Sequence, residues 1–467
     1  MRLSRTSVAL LLALGSLPAC KKKAAEPAGS ASAVASDAAP PVAAEPPRCA
    51  ALVAGSVFTV GDVGTTTTSG DAGDDEPDLP FAVEMGYAVR HDDEFVVSAL
   101  RAKGSATHAV IALVPLSGRG GKEVDLGRTH GDVEPPRLAN RGAELVAVVP
   151  DSDATGSVLR VAALKPGSAS VVTWGGQIAE GRDESKVFDV ELGDARGIVV
   201  WDHLDKKREK SAVSVATFPH DAVATLSAPR QLSAAEEDAE GPQLAPRPGG
   251  FWLSWLSRPR KADAGKSAPA SSAALPPSSS VDPPLVALER RSLLLAPLDA
   301  NGSLVGKPIT VTAVGSQVLA YELVGVADGA ALVAWRDDEA APGAEGHTLH
   351  LAHVSAAGSV SRSALSDDSV GAGVASLLVD AAPAANSPPL WLVSGSVSDE
   401  TALVSLDARG APSDSLRSEP EVRSAEPLAV HGGRLLVGRP HGLSLELSIL
   451  TCQRGRPPQP GADAAPE

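Results

Sequence analysis

The chain has 467 residues, 43% of them hydrophobic, with a mean hydropathy of +0.03, so it is long enough to bury a large core. Only 3% of it is aromatic while Gly (44) and Pro (38) are plentiful, which favours many short elements separated by turns over a few long helices. A formal charge of -16 argues against a nucleic-acid partner, because that affinity comes largely from Lys and Arg displacing counterions.

Residues 1–19 carry Arg2 and Arg5, an apolar run from Val8 to Leu14 and then small residues, the layout of a secretory signal. The run is too short to span a bilayer. The segment "LPAC" that ends at Cys20 resembles the lipobox of bacterial lipoproteins, in which the cysteine takes a diacylglyceryl thioether, the preceding peptide is removed and the new amine is acylated; Pro18 departs from the usual small, non-cyclic residue. The resemblance implies lipidation of Cys20 and a membrane partner through that lipid. With Lys21 rather than Asp next, it also implies the outer membrane of a Gram-negative cell envelope, facing the periplasm or the surface. An ordinary cleaved signal with a cysteine beside it is the alternative. Residues 20–48 are Ala/Pro/Ser-rich without apolar periodicity, so behind the lipidated cysteine they are expected to form a disordered or partly extended tether.

From Cys49 to residue 453 a pattern recurs. A short apolar run, often ending in Trp, is followed by a polar loop and a second run alternating at period two. The first runs are "FVVSA" from Phe95, "ELVAV" from Glu144, "GIVVW" from Gly197, "FWLSW" from Phe251, "ALVAW" from Ala331, "LWLVS" from Leu390 and "RLLVG" from Arg434, seven copies in all. Their partners are "HAVIALVPL", "SVLRVAAL", "SAVSVATF", "SLLLAPL", "TLHLAHV", "TALVSL" and "LSLELSIL". A turn also repeats after the partner: "LSGRG" from Leu116, "LDANG" from Leu298, "VSAAG" from Val354 and "LDARG" from Leu406 each place Gly four residues after an apolar one. Glycine suits a tight turn that needs positive φ.

Most copies are spaced by about fifty residues, the exception being the interval that contains residues 260–288, a low-complexity polar stretch expected to be a disordered loop insertion. A period of this length with four strands per copy predicts an all-β, seven-bladed β-propeller. A β-sandwich would also give short strands and Gly-rich turns; recurrence of the same turn at the same place favours the propeller. The pattern lacks sustained Trp-Asp endings, kelch-type paired glycines and sialidase-type Asp boxes. As a whole the chain resembles Gram-negative lipoproteins that carry a propeller-like domain.

The seventh copy lacks an outer strand, whereas "GSVFTVGDV", from Gly55 to Val63, is a strand with no blade of its own. Laid antiparallel beside Leu443 to Leu450, it would complete the last blade and bring Cys49 next to Cys452. Once lipid consumes Cys20 the remaining cysteines are even in number, and an exported compartment permits a disulfide between them. Residues 454–467 are expected to form a disordered tail.

Little in the chain points to chemistry. His347, His350 and His353 in "HTLHLAH" are three apart, but on a strand His350 faces away from the other two. Asp71, Asp74, Asp75, Glu76 and Asp78 lack the ordered spacing of a Ca²⁺ loop and read as a solvated acidic excursion. Asp202 and His203, and Asp337 and Asp338, each follow the Trp of a first run, so they fall at corresponding blade edges and are weak binding candidates. Paired carboxylates there would suit glycoside hydrolysis, yet no nucleophile or oxyanion donor accompanies them. Trp201, Trp255 and Trp335 are expected to pack between blades. No catalytic residue, metal site or cofactor is assigned. The expected function is a lipid-anchored binding or scaffold module with a protein or glycan partner on a propeller face. An exported hydrolase of a glycan or lactone is the first alternative and a purely structural envelope protein the second.

Overall fold

The computed structural model describes residues 49–453, apart from 56, 62–82, 132, 154–155, 166–170, 180–186, 206–209, 259–290, 313–315, 327, 338–347, 367–375, 385–386, 388, 396–399, 415 and 442–443. The signal segment, the tether, the 260–288 insertion and the tail therefore lie outside the described residues, as do Cys20, the acidic group Asp71 to Asp78, Asp338 and His347.

Seven antiparallel sheets follow one another along the chain. Blade 1 consists of Val83–His91, Glu94–Lys103, Ala106–Pro115 and Lys122–Thr129. Blade 2 consists of Arg137–Arg141, Glu144–Asp153, Gly156–Lys165 and Val171–Ile178. Blade 3 is built from Phe188–Leu192, Arg196–Asp205, Lys210–Pro219 and Arg230–Gln231. Blade 4 is Asp238–Arg247, Gly250–Arg258, Ser292–Asp299 and Ile309–Thr310. Blade 5 is Val318–Gly325, Ala331–Asp337, Thr348–Val354 and Val360–Ser366. Blade 6 is Ser376–Val379, Leu390–Gly395, Thr401–Leu406 and Arg417–Ser418. Blade 7 takes Glu426–His431, Arg434–His441 and Ser444–Cys452 from the end of the chain, and its outer edge from Cys49–Ala51 and Phe58–Val60.

The first strand of each blade touches the first strand of the next, and that of blade 7 touches that of blade 1, so the sheets form a closed ring and not two facing layers. The core is divided among the seven junctions. Trp201 packs with Phe188 and Phe218 between blades 2 and 3, Trp255 with Phe251 between blades 3 and 4, and Trp335 with Trp252 between blades 4 and 5. Every second strand is buried on both faces, which explains why the first runs read as near-continuous apolar stretches and not as strict alternations.

The repeated turn works as its sequence suggests. Gly120, Gly302, Gly358 and Gly410 all have positive φ. Asp299 Oδ1 accepts the N–H groups of Asn301 and Ser303 at 2.9 and 2.8 Å, and Asp407 Oδ1 those of Arg409 and Ala411 at 2.8 and 2.9 Å. These side chains fold the backbone onto themselves, the usual reason for Asp at the head of a turn.

Closure differs in one respect from the uninterrupted strand expected from Gly55 to Val63. The outer edge begins earlier, at Cys49, and is broken: Ala51 stands opposite Leu450 and Phe58 opposite Leu447, so residues 52–57 span only Ser448 and Ile449. The two flanks are tied by Leu52 N–H to Ile449 O at 2.9 Å and Val57 N–H to Leu447 O at 2.7 Å. Leu52, Val57 and Phe58 meanwhile pack against the junction of blades 7 and 1. Cys49 and Cys452 are directly opposed, with Cα atoms 4.2 Å apart, and are joined by a disulfide across 403 residues. Both are buried beside Trp391 in the core between blades 6 and 7.

Replacing both cysteines by serine is expected to leave the ring folded, with an unchanged circular-dichroism spectrum, but to lower its unfolding free energy by about 2–5 kcal/mol in urea titrations. Because both residues are no more than 1% exposed, dithiothreitol is expected to open the bond in the wild-type protein only when denaturant is present, as read by thiol alkylation and intact mass.

Candidate functional site

The two ends of the ring differ. At one end lie the turns between first and second strands, and these interlock: Arg141 pairs with Asp194, Asn140 Nδ2 donates to Arg90 O, Trp252 Nε1 donates to Gly329 O at 3.0 Å, and the buried Asp380 carboxylate accepts Gly432 and Gly433 N–H at 3.0 and 2.9 Å. The opposite end carries the links between blades and between second and third strands. The longest internal stretches outside the description, 62–82, 259–290, 338–347 and 367–375, all belong to those links. This loop end is where side chains are set by individual connections and not by a shared turn, so functional groups are sought there.

Asp202 closes the apolar part of its strand. Alternation places it on the face opposite Trp201, toward blade 4. Its carboxylate accepts Val187 N–H at 2.9 Å and, across the blade junction, Gly241 N–H at 2.7 Å. Gly241 is available because the first strand of blade 4 bulges between Glu240 and Gln243 and takes φ +61° there. Burial pushes the Asp202 carboxyl up to about 6; the two backbone hydrogen bonds oppose the shift and nearby Glu240 adds to it.

Beside it, Arg258 Nη1 lies 3.2 Å from Asp238 and Nη2 3.1 Å from Glu240, while Arg291 Nε lies 2.9 Å from the other Glu240 oxygen. Arg258 and Arg291 flank residues 259–290, so both feet of the insertion stand on one carboxylate. Asp238 also accepts Ser211 N–H at 2.9 Å from blade 3.

His203 is partly buried one residue beyond Asp202. Asp337 ends its strand opposite Val318, with only its backbone described. His350 stacks on Trp335, ring centroids 5.2 Å apart, whereas His353 lies opposite Leu332 on the other face of the strand, so these two do not share a site. Trp255 Nε1 donates to Glu237 at 2.8 Å inside the core. Among the described residues no three His, Cys, Asp or Glu side chains gather so as to hold a metal ion.

Sequence reasoning passed over Glu191. In "FDVEL" the alternate residues Phe188, Val190 and Leu192 are buried against blade 2, which forces Asp189 and Glu191 toward blade 4. Asp189 is satisfied there by Leu244 N–H at 2.8 Å. Glu191 instead accepts the adjacent Leu192 N–H at 2.9 Å, and desolvation lifts its carboxyl to about 8. The alternation within "FDVEL" was the available signal.

Since the folded carboxyl of Glu191 binds its proton more tightly than an unfolded one, it draws stability down as pH rises from about 4.5 to about 8. Glu191→Gln keeps the acceptor and removes the charge. It is expected to leave stability unchanged near pH 4 and to raise it by on the order of 2 kcal/mol at pH 8.5, with thermal unfolding across that pH range as the measurement.

Neither a family model nor a curated protein sequence matches the chain. Solved structures do. The polysaccharide lyase Uly1 aligns with a TM-score of 0.50 at 9% identity, covering 86% of this chain and 98% of that one. The α-L-arabinofuranosidase Arb93A from Fusarium graminearum aligns at 0.42 and 9% identity over 78% and 92% of the two chains. The β-propeller domain of the Trilobed protease from Pyrococcus furiosus, described as having an open velcro topology, aligns at 0.42 and 8% identity over 78% and 92%. At such identities the likeness concerns the fold alone.

Proposed function

We propose that this chain is an exported, lipid-anchored β-propeller that binds a protein or glycan partner at its loop end without transforming it. The observation that carries this reading is the wiring of the described carboxylates of blades 3 and 4. Asp202 is held by two backbone N–H groups, Asp238 by Arg258 and Ser211, and Glu240 by Arg258 and Arg291. A general acid or base needs an oxygen aimed at the substrate, and these oxygens are engaged within the protein, where they fix the mouth as a rigid platform. Export is supported by the signal-like residues 1–19 and by a buried disulfide, a bond that persists in oxidising compartments. The anchor is Cys20, by its resemblance to a lipobox, with residues 21–48 as tether and the Gram-negative outer membrane as the site of attachment; several acyl chains make such anchoring stable.

One observation favours a hydrolase of glycans or lactones instead: the Asp202 carboxyl, at about 6, titrates in a range useful for proton transfer. Incubating the purified protein with neutral glycan and lactone panels, with products read by mass spectrometry, separates the two. The binding reading expects no product. Turnover that is abolished by Asp202→Asn or Asp337→Asn establishes the hydrolase. For the anchor, full-length protein expressed in a Gram-negative host is expected in the membrane fraction with the mass of an acylated Cys20, and Cys20→Ser in the soluble fraction.

A further inference from the structure

Arg137 is the first residue of blade 2, so it stands at the loop end, and among the described residues it is a cation without an anion. The residue is 5% exposed. Its Nε and Nη2 are sealed from solvent and have no hydrogen-bond partner among the described residues. The guanidinium lies over the Tyr87 ring, 3.4 Å from the centroid. Stacking covers one face of the plane and leaves its edge, where the N–H groups point, uncommitted. Nη1 is not among the sealed atoms, so one corner of the group reaches toward solvent at the mouth.

The backbone around it is held firmly. Pro135 and Pro136 lead into the strand. Ser98 Oγ, fully buried, donates to Pro136 O at 2.5 Å and accepts Tyr87 N–H at 2.9 Å. Tyr87 itself sits in the bulge that separates Met85 from Ala88 in the first strand of blade 1. Beside it, a Cβ on Gly86 would come within 2.6 Å of Pro135. On the second strand of blade 2, Asp151 is already taken by His130 and Arg160. A desolvated charge with no partner is strongly unfavourable in a folded protein, and here it is kept in a pre-shaped setting.

We infer that Arg137 receives the carboxylate of a ligand that docks at the mouth between blades 1 and 2. A carboxylate oxygen can accept from Nη1 directly, and seating its second oxygen against Nη2 requires the cover over that nitrogen to shift. A monoanion also neutralises the single buried charge, whereas a dianionic phosphate would leave excess negative charge in a protein already at -16. This deepens the binding reading and rests on it only for the end of the ring at which the ligand arrives. Titration with a small anion reads Arg137 directly, so it can fail while the module still proves to be a binder.

The test uses the full chain at constant ionic strength, with acetate, inorganic phosphate or neutral acetamide replacing chloride or buffer. Acetate is expected to shift one arginine Nε–H resonance saturably and to raise the melting temperature by a few degrees, phosphate to act at least several-fold more weakly, and acetamide to do neither. Arg137→Met, which removes the unpaired charge and retains much of the apolar stem, is expected to melt higher than wild type without anion and to lose the acetate response. Arg137→Lys keeps the charge without the planar edge and should respond several-fold more weakly. Phosphate binding tighter than acetate overturns the carboxylate assignment. No saturable response to either anion, or a response that survives in Arg137→Met, overturns the site.

Discussion

A blade is a four-stranded sheet with two apolar faces, and it becomes stable only when both are covered by neighbours. In an open row the outermost faces would stay wet; in a ring none does. The packing of this chain therefore depends on the contact that joins its last blade to its first. Here the contact is made three times over: Cys49–Ala51 and Phe58–Val60 complete the final sheet, the first strands of blades 7 and 1 meet at the centre, and a disulfide joins Cys49 to Cys452. Gly433 shows how closely this seam is fitted, since a Cβ there would run into Ser387, whose hydroxyl donates to Cys452 O at 3.1 Å.

Closure also divides labour between the ends of the ring. Turns at one end hold one another through side chain to backbone bonds, leaving the other end to differ from blade to blade. Between them, polar side chains act as staples across blade junctions: Asp189 to Leu244, Asp202 to Gly241, and Gln243, which accepts Leu323 N–H at 2.9 Å and donates to Tyr321 O at 2.8 Å. Buried polar groups of this kind are tolerated because they are satisfied. Arg137, whose Nε and Nη2 have no partner among the described residues, is a charged departure from that rule.

The repeat made the architecture legible. Seven apolar runs, their alternating partners and a glycine at a constant offset give blade number and strand order, and the unpaired strand before the first copy points to the cysteine pair. The broken outer edge is not evident from the apolar Leu52, Val53 and Val57; only the register against Ser448 and Ile449 reveals the excess. Asp202 was legible as a polar residue at a blade edge but not as a staple.

What the amino-acid sequence determined by itself was everything governed by local periodicity, an all-β ring of seven copies and its turns, because side-chain alternation and positive-φ glycine are properties of neighbouring residues; the covalent seam followed from the even count of the remaining cysteines. Tertiary structure decided the state of the polar groups, because their partners belong to other blades. The Asp202 acceptor waits for an N–H 39 residues away, Gln243 for one 80 residues away and Asp189 for one 55 residues away. Whether such a group is satisfied, protonated or left waiting for a ligand is set by the facing blade.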